Sequence, residues 1–469
     1  MLAKSNSITD IAKENNVSRK FLYKQANKAE QSLDEVFKKP GEEDDVLFYL
    51  PVTKEWLRQV VVGLPLICHS SYRGVIEFFD TFFDQKISLG TVSNIMHQAV
   101  EKARRINDTE DLSSIKVVVL DEIFQSGKPV LTVADAKSGY CCLLSEEETR
   151  DADTWGIRLL ELKDKGLEPD YSIADFGKGI RAGQKEAWPD VPCRGNNFHA
   201  LSAFGKLVWY LENRAYGVMT ALEKIERKMS HAKNKSQGNK LSKKLGAAKE
   251  ATTQAVSLAD DISILATWLR EDILSATGPD YTTKCDLFDF VVNELRYREH
   301  FAPHRIGPLR KLLENHKDEL LAFAKDLDQS LEEIAKQFQV PFSSIRQMFE
   351  VLGCPNQQNT KWSNYAHLQK QLGYLFSSIR EAVSEIITNT IRASSLAENI
   401  NSRLRNYFFL RHQLGPGYLD LLRFFLNHRR FMRSEIPEHQ RKSPAELLTG
   451  EEQGHWLELL GFNLFKQAA

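Results

Sequence analysis

At 469 residues the chain exceeds what a single hydrophobic core can organise, and about three domains are expected. A hydrophobic fraction of 42%, a charged fraction of 27% and a formal net charge of -1 exclude a uniformly basic coating protein, so any contact with nucleic acid has to come from local patches. Cys68, Cys141, Cys142, Cys193, Cys285 and Cys354 follow no zinc-ligand spacing, no secretory signal opens the chain and no apolar run reaches membrane-spanning length; a reducing cytoplasm and no membrane partner are expected.

The N-terminal segment has a helix-turn-helix layout. Ile8, Ile11 and Ala12 share one face of a short helix, Asn15 and Asn16 make the turn, Val17 plugs the core and Ser18 caps a second helix. Arg19, Lys20 and Lys24 stand at outward positions of that second helix, which suits a major groove. Residues 42–45 read as an acidic linker. Helices follow over 54–66 and 71–83, and a third starts at Ser88 or Thr91. Its Ser93, Asn94 and Gln98 suit base edges or phosphates, although a plain helical bundle fits the same pattern.

Val117-Val118-Val119-Leu120-Asp121 reads as a buried strand that delivers a carboxylate to a sheet edge. Strands near 130–134 and 139–144 continue it as a hairpin series. A helix over 154–165, closed by Gly166, leads to a strand ending in Asp175. The glycine-rich turn Phe176-Gly177-Lys178-Gly179, a helix to 187, a short strand at 191–193 and a helix after Asn196-Asn197-Phe198-His199 complete the series. That order of elements is ribonuclease-H-like, and by analogy it sets the first and fourth strands side by side.

Strand signals vanish between about 205 and 390, where an all-helical insertion is expected. Its Lys224, Arg227, Lys228, Lys233, Lys235, Lys240, Lys243, Lys244 and Lys249 face the single acid Glu226. They read either as a solvated helical hairpin or as a surface that follows a phosphate backbone. Residues 331–346 repeat the helix-turn-helix rhythm but read better as a structural helical unit. Glu398 falls on a further helix. Beyond it, Arg403, Arg405, Arg411, Arg423, Arg429, Arg430 and Arg433 interleave with aromatics, and Asp420 is the only acid among them. Arginine forks of this kind suit phosphates. Two strand-borne Asp and a helical Glu can together hold a pair of divalent cations, whereas either Asp alone fits a turn or cap.

Asp121, the run Asp175-Phe176-Gly177-Lys178-Gly179, the pair Phe198-His199 and the block Leu396-Ala397-Glu398-Asn399-Ile400-Asn401-Ser402-Arg403-Leu404-Arg405 together resemble the DDE transposases of bacterial insertion sequences. The resemblance covers residues 110–450. It implies an α/β ribonuclease-H-like catalytic core interrupted by a large all-helical insertion, with an N-terminal helix-turn-helix DNA-binding region. The domains would be 1–40, 50–108, a catalytic domain of 112–204 and 391–435, the insertion 205–390 and a tail 436–469. By similarity Asp121, Asp175 and Glu398 would be the catalytic metal ligands, holding two Mg²⁺ ions, with Mn²⁺ as a substitute. His199 and Asn399 would support the site, and Arg403, Arg405, Arg411, Arg429 and Arg430 would touch DNA. The implied activity is phosphodiester hydrolysis and strand transfer at mobile-element ends. It would be carried out by a homo-oligomer on double-stranded DNA, element ends and target alike, at the bacterial nucleoid. The chain departs from the compact family pattern in the long separation of Asp175 from Glu398, which leaves Glu186 as a rival third acid. A catalytically inactive DNA-binding regulator and a structure-specific nuclease on the same fold are the alternatives.

Overall fold

A computed structural model describes residues 7–37, 50–231, 235–353, 359–390, 395–410, 417–434 and 436–464. The side chains of Glu398 and Asn399, the whole of Arg411, Cys354 and the expected linker at 42–45 lie outside the described residues. The chain divides into two units, Met1–Leu57 and Arg58–Ala469.

In the first unit, Ser7 caps α1 (Ile8–Glu14) and the chain turns at Asn16, whose φ is 52°. Val17 N–H donates back to the Ala12 carbonyl, and Ser18 Oγ accepts from Phe21 N–H at the start of α2 (Arg19–Phe37). Helix α2 is 19 residues long, running well beyond Lys24. Ala12 is buried, and Arg19, Lys20 and Lys24 are exposed.

The helices α3 (Lys54–Ile67), α4 (Tyr72–Phe83) and α5 (Leu89–Asp108) follow, with Ser71 and Ser88 as the N-caps of α4 and α5. Ser93 and Asn94 are exposed on α5, while Gln98 accepts a hydrogen bond from Arg58.

The sheet is built from β1 (Val117–Gln125), β2 (Lys128–Asp135), β3 (Cys141–Glu146), β4 (Tyr171–Ala174) and β5 (Cys193–Gly195) in the order β3-β2-β1-β4-β5. The β1–β2 and β2–β3 pairs are antiparallel, and β1–β4 and β4–β5 are parallel. Strand β1 does not stop at Asp121. It continues to Gln125 and turns into β2 through Ser126 and Gly127, both with positive φ, as a two-residue hairpin requires. Strand β5 likewise starts at Cys193 rather than ending there.

Helices α6 (Ala152–Asp164) and α7 (Lys178–Ala187) cover one face of the sheet. Val118, Leu120 and Ala174 point into a core shared with Trp155, Leu159, Ile180 and Ala187. Val119 and Ile173 point the other way, in a small cluster with Ala136. This alternation follows from the two-residue period of a strand. A mixed α/β unit with a small open sheet and extensive helical insertion is consistent with a ribonuclease-H-like core.

The insertion comprises α8 (Asn197–Ser230), α9 (Lys235–Trp268), a π-helical turn at Leu269–Ile273, α10 (Tyr281–Arg298), α11 (Pro303–Asn315), α12 (Lys317–Phe338), α13 (Phe342–Gly353), α14 (Asn359–Leu372) and α15 (Phe376–Asn389). It holds two apolar cores, one around Phe204, Ile262, Phe288 and Leu313, the other around Leu331, Ile345, Phe349 and Ile379. Helix α12 contributes to both and anchors the insertion at the β5 edge. Arg181 pairs with Glu319 at 2.7 Å and Arg194 with Asp326 at 2.6 Å, while the Phe176 and His316 rings meet at 4.4 Å. Arg346, the early basic residue of the second helix-turn-helix rhythm, is held by Asp328 at 2.8 Å.

Helices α16 (Ser395–Leu410), α17 (Tyr418–His428), α18 (Pro444–Thr449) and α19 (Trp456–Leu459) close the chain. Asn427 brackets the β3 backbone, accepting from Cys141 N–H at 2.7 Å and donating to Cys141 O at 2.9 Å. Asp420 receives Arg104 of α5 at 2.9 Å. Cys141 and Cys142 are buried, as packing residues.

Arg423 of α17 reaches both the Cys142 carbonyl and Glu110, each at 2.7 Å. Burial outweighs the Arg423 charge and pushes the Glu110 carboxyl up from 4.5 to about 7. A folded-state value above the unfolded one means that protonation favours the fold. This contribution is therefore complete below about pH 4.5 and is lost as pH rises through about 7. Glu110→Gln keeps a hydrogen-bonding group without the charge. Denaturation series across that window should show a flatter pH dependence for the variant than for the parent; parallel curves would contradict the assignment.

Candidate active site

The parallel ladder pairs Val117 with Tyr171, Val118 with Ser172 and Val119 with Ile173. Continued by two residues, the same offset sets Asp121 opposite Asp175. On the far side of β4, Ala174 pairs with Gly195, so Asn196 follows in the next place. The extended offsets give Asp121, Asp175 and Asn196 matching positions just past the carboxyl ends of the parallel pairing, where chains leave the sheet for helices and ligand sites are built in open α/β sheets. The pairing with β4 ends at Val119, two residues before Asp121, and β1 itself runs on past Asp121 to Gln125.

Asp121 is 4% exposed. Its Oδ1 accepts from Glu122 N–H at 2.8 Å, and its Oδ2 accepts from Asn401 Nδ2 of α16 at 2.7 Å. Thr132 Oγ1 donates to its backbone carbonyl at 2.9 Å. Asn401, 3% exposed, leaves its own Oδ1 buried without a hydrogen-bond partner. The amide thus spends a donor on the carboxylate and keeps an unanswered acceptor beside it. The sequence gives Asn401 no role of its own, although it stands three residues after Glu398 in the same helix.

Two further bonds hold helix α16, one from β1 of the sheet and one to α3. Gln125 Nε2 donates to Phe408 O at 3.3 Å, and Tyr407 OH donates to Leu66 O at 2.6 Å. Both the Asn401 and the Phe408 contacts fall on β1, so α16 runs along the same strand that carries Asp121. Glu398 lies on this helix one turn before Asn401.

Asp175 is half-buried and Oδ1 accepts from Gly177 N–H at 2.9 Å, the bond of an Asx turn. Gly177 is required here, because a Cβ would stand 2.8 Å from that oxygen; at Gly179 a Cβ would stand 2.1 Å from the Arg150 carbonyl. The glycines of this stretch thus serve the turn at Asp175 and the close approach of α7 to α6. Helix α8 begins at Asn197, so His199 lies in its first turn rather than before it. His199 Nε2 and both polar side-chain atoms of Asn197, a residue 2% exposed, are buried without partners.

Glu122 points to the other face, where it pairs with Arg150. Burial raises its pKa, against the lowering effect of Arg150, and the nearby charge of Asp175 adds to the rise. Glu186 lies on that same face, on α7 beside Gly156 of α6. The sheet separates it from Asn401.

The arginines occupy different surroundings. Burial lowers the pKa of Arg403, Arg405 is exposed, and Arg429 lies 5.4 Å above the Phe425 ring. Arg430 forks onto Glu446 at 2.6 Å and also reaches Glu452 at 3.2 Å.

Among the described residues no group of three or more His, Cys, Asp or Glu side chains is arranged to hold a metal ion. No helix among them is long and apolar enough to cross a membrane. No family model and no curated protein matches the chain. Among solved structures it is similar to the Drosophila P element transposase strand transfer complex, at 11% identity and a TM-score of 0.33, with 84% of this chain and 100% of that chain covered.

Proposed function

We propose that the protein is a metal-dependent DNA strand transferase, a transposase whose reaction centre is Asp121, Asp175 and Glu398. The observation that carries this reading is the β1–β4 pairing, whose offset matches Asp121 with Asp175, together with the Asn401 bond that ties the Glu398-bearing helix to Asp121. The donor set is oxygen-only, and the buried, unanswered Asn401 Oδ1 lies beside it. These features fit a hard divalent cation such as Mg²⁺, with Mn²⁺ as a substitute. Asp121, Asp175 and Glu398 would hold the ions, which supply charge stabilisation to a reacting phosphodiester.

The chain's own residues do the rest. Asn401 and Glu122 N–H fix the two Asp121 oxygens, and the Asx turn fixes Asp175, so neither carboxylate has to be ordered when substrate arrives. His199 and Asn197 bring unused hydrogen-bonding capacity to the adjoining helix start, and Asn399 supports the same centre. Arg19, Lys20 and Lys24 of the first unit, in a helix-turn-helix, and Ser93 and Asn94 on α5 would read duplex DNA. Two element ends joined in one reaction call for a homo-oligomer. The decisive experiment is a strand-transfer assay on the DNA flanking the protein's own coding sequence, with and without Mg²⁺. Joined products that require the metal support the reading. Binding without any strand cleavage would leave a DNA-binding regulator.

Arg405 is exposed and open to a phosphate, whereas Arg430 is already committed to carboxylates. Arg405→Ala should lower the salt slope of duplex binding by about one. Arg430→Ala should lower the melting temperature and leave the slope nearly unchanged. Salt titrations and thermal melts of both variants check this, and the opposite pattern would reverse the two assignments.

A further inference from the structure

Helices α8 and α9 extend beyond the core that anchors them. No described residue is buried after Ala215 on α8 or before Leu258 on α9, and α8 runs on to Ser230, an extension of about 20 Å at helical rise. Along this arm the half-buried positions are Val218, Leu222 and Ile225 on one helix and Gly238, Leu241, Leu245, Ala248, Thr252, Ala255 and Val256 on the other. Their three- and four-residue spacing is that of a narrow seam between two helices.

Outside the seam the arm is cationic. Residues 216–257 hold nine Lys and Arg against Glu223, Glu226 and Glu250, an excess of six in a chain whose formal net charge is -1. Two cations are drawn toward acids of the arm itself, Arg227 toward Glu223 at 3.8 Å and Lys249 toward Glu226 at 3.9 Å. Lys224, Lys228, Lys240, Lys243 and Lys244 are exposed on both helices.

The chemistry of the arm selects among polyanionic partners. Lysine is depleted from protein–protein interfaces, which depend on apolar or aromatic anchors, and the exposed aromatics Trp209 and Tyr216 stand at the core end of α8. A membrane-surface helix needs a broad apolar face, but here the apolar residues form the seam. Lysines distributed along an extended helical pair match a regularly charged rod instead.

We propose that the α8–α9 hairpin is a sequence-independent arm that follows the phosphate backbone of duplex DNA, drawing on the reading above that DNA is the substrate. The full-length protein, kept in chelator so that no cleavage occurs, is titrated with an arbitrary duplex over a range of salt concentrations. It is compared with a variant carrying Lys224→Gln, Lys228→Gln, Lys240→Gln, Lys243→Gln and Lys244→Gln, whose helicity is verified by circular dichroism. Up to five lost phosphate contacts should reduce the log–log salt slope by as much as about four, and affinity near 0.1 M salt by at least about tenfold. Equal slopes in a folded variant would overturn the arm while leaving the reaction-centre proposal intact. A parent protein with no salt-dependent DNA binding would overturn both. Lost binding to polyglutamate with DNA binding preserved would assign the arm to an acidic protein and overturn the proposal.

Discussion

Replacing Asp121 by Asn should reduce Mg²⁺-dependent strand cleavage by roughly a thousandfold, the scale expected when an electrostatic element of a reaction centre is lost. The replacement is nearly isosteric and removes one charge. Its amide can still accept from Asn401, so α16 should stay in place and duplex binding should change little. Asn401→Ala tests the same centre from the other side. It takes no charge from the site but frees Asp121 Oδ2, and loss of such a supporting bond costs about ten- to a hundredfold. Asn401→Asp should be worse than Ala, because it sets a second buried carboxylate against the first. If Asp121 served only to hold α16 on the sheet, the Asn and Ala variants would lose stability and DNA binding together, with no selective loss of cleavage. Full cleavage by Asp121→Asn would exclude the carboxylate from the chemistry.

The strand before Asp121 was legible because four consecutive apolar residues need burial on both faces. Its true end was not. A buried Asp looks like a terminator until its partners are known, and here Asn401 lies 280 positions away. Helices in the insertion were visible from periodicity, but their anchorage was not, since Glu319 and Asp326 meet Arg181 and Arg194 only after folding. The tail shows a second limit of local reading. A window over 403–433 contains one acid, Asp420, and suggests a free cationic surface. Asp420 is engaged by Arg104, while Glu110 and Glu446 come from outside the window to hold Arg423 and Arg430. Net charge over a segment measures attraction at a distance and says nothing about which cations are already paired. The α8–α9 arm differs because residues 216–257 hold nine Lys and Arg against three acids, and among the described residues two of those cations, Arg227 and Lys249, are drawn toward them.

Replacing Lys284 by Met should be the most damaging single change to stability in the insertion, by about 3–5 kcal/mol, enough to threaten a typical margin of about 5–15 kcal/mol. Lys284 is 1% exposed, and no apolar periodicity marks it for burial. Its three Nζ N–H groups are surrounded by four backbone carbonyls, Asp272 at 2.7 Å, Ser275 at 2.9 Å, Ile273 at 3.1 Å and Thr277 at 3.4 Å. These oxygens belong to the end of the π-helical turn after α9 and the loop that follows, where carbonyls lack intrahelical partners and the helix dipole is negative. One ammonium thus supplies both the missing donors and the complementary charge. Methionine fills a similar volume and supplies neither, so several buried acceptors lose their partner, each at about 1–3 kcal/mol if nothing replaces it. Water entry would moderate that sum. Lys284→Arg keeps the charge, but its planar fork is poorly matched to carbonyls converging on a compact ammonium, and it should fall between Met and the parent. Chemical denaturation followed by circular dichroism checks the order. A Met variant as stable as the parent would mean that the loop can satisfy its own carbonyls and that α9 and α10 are joined by packing alone.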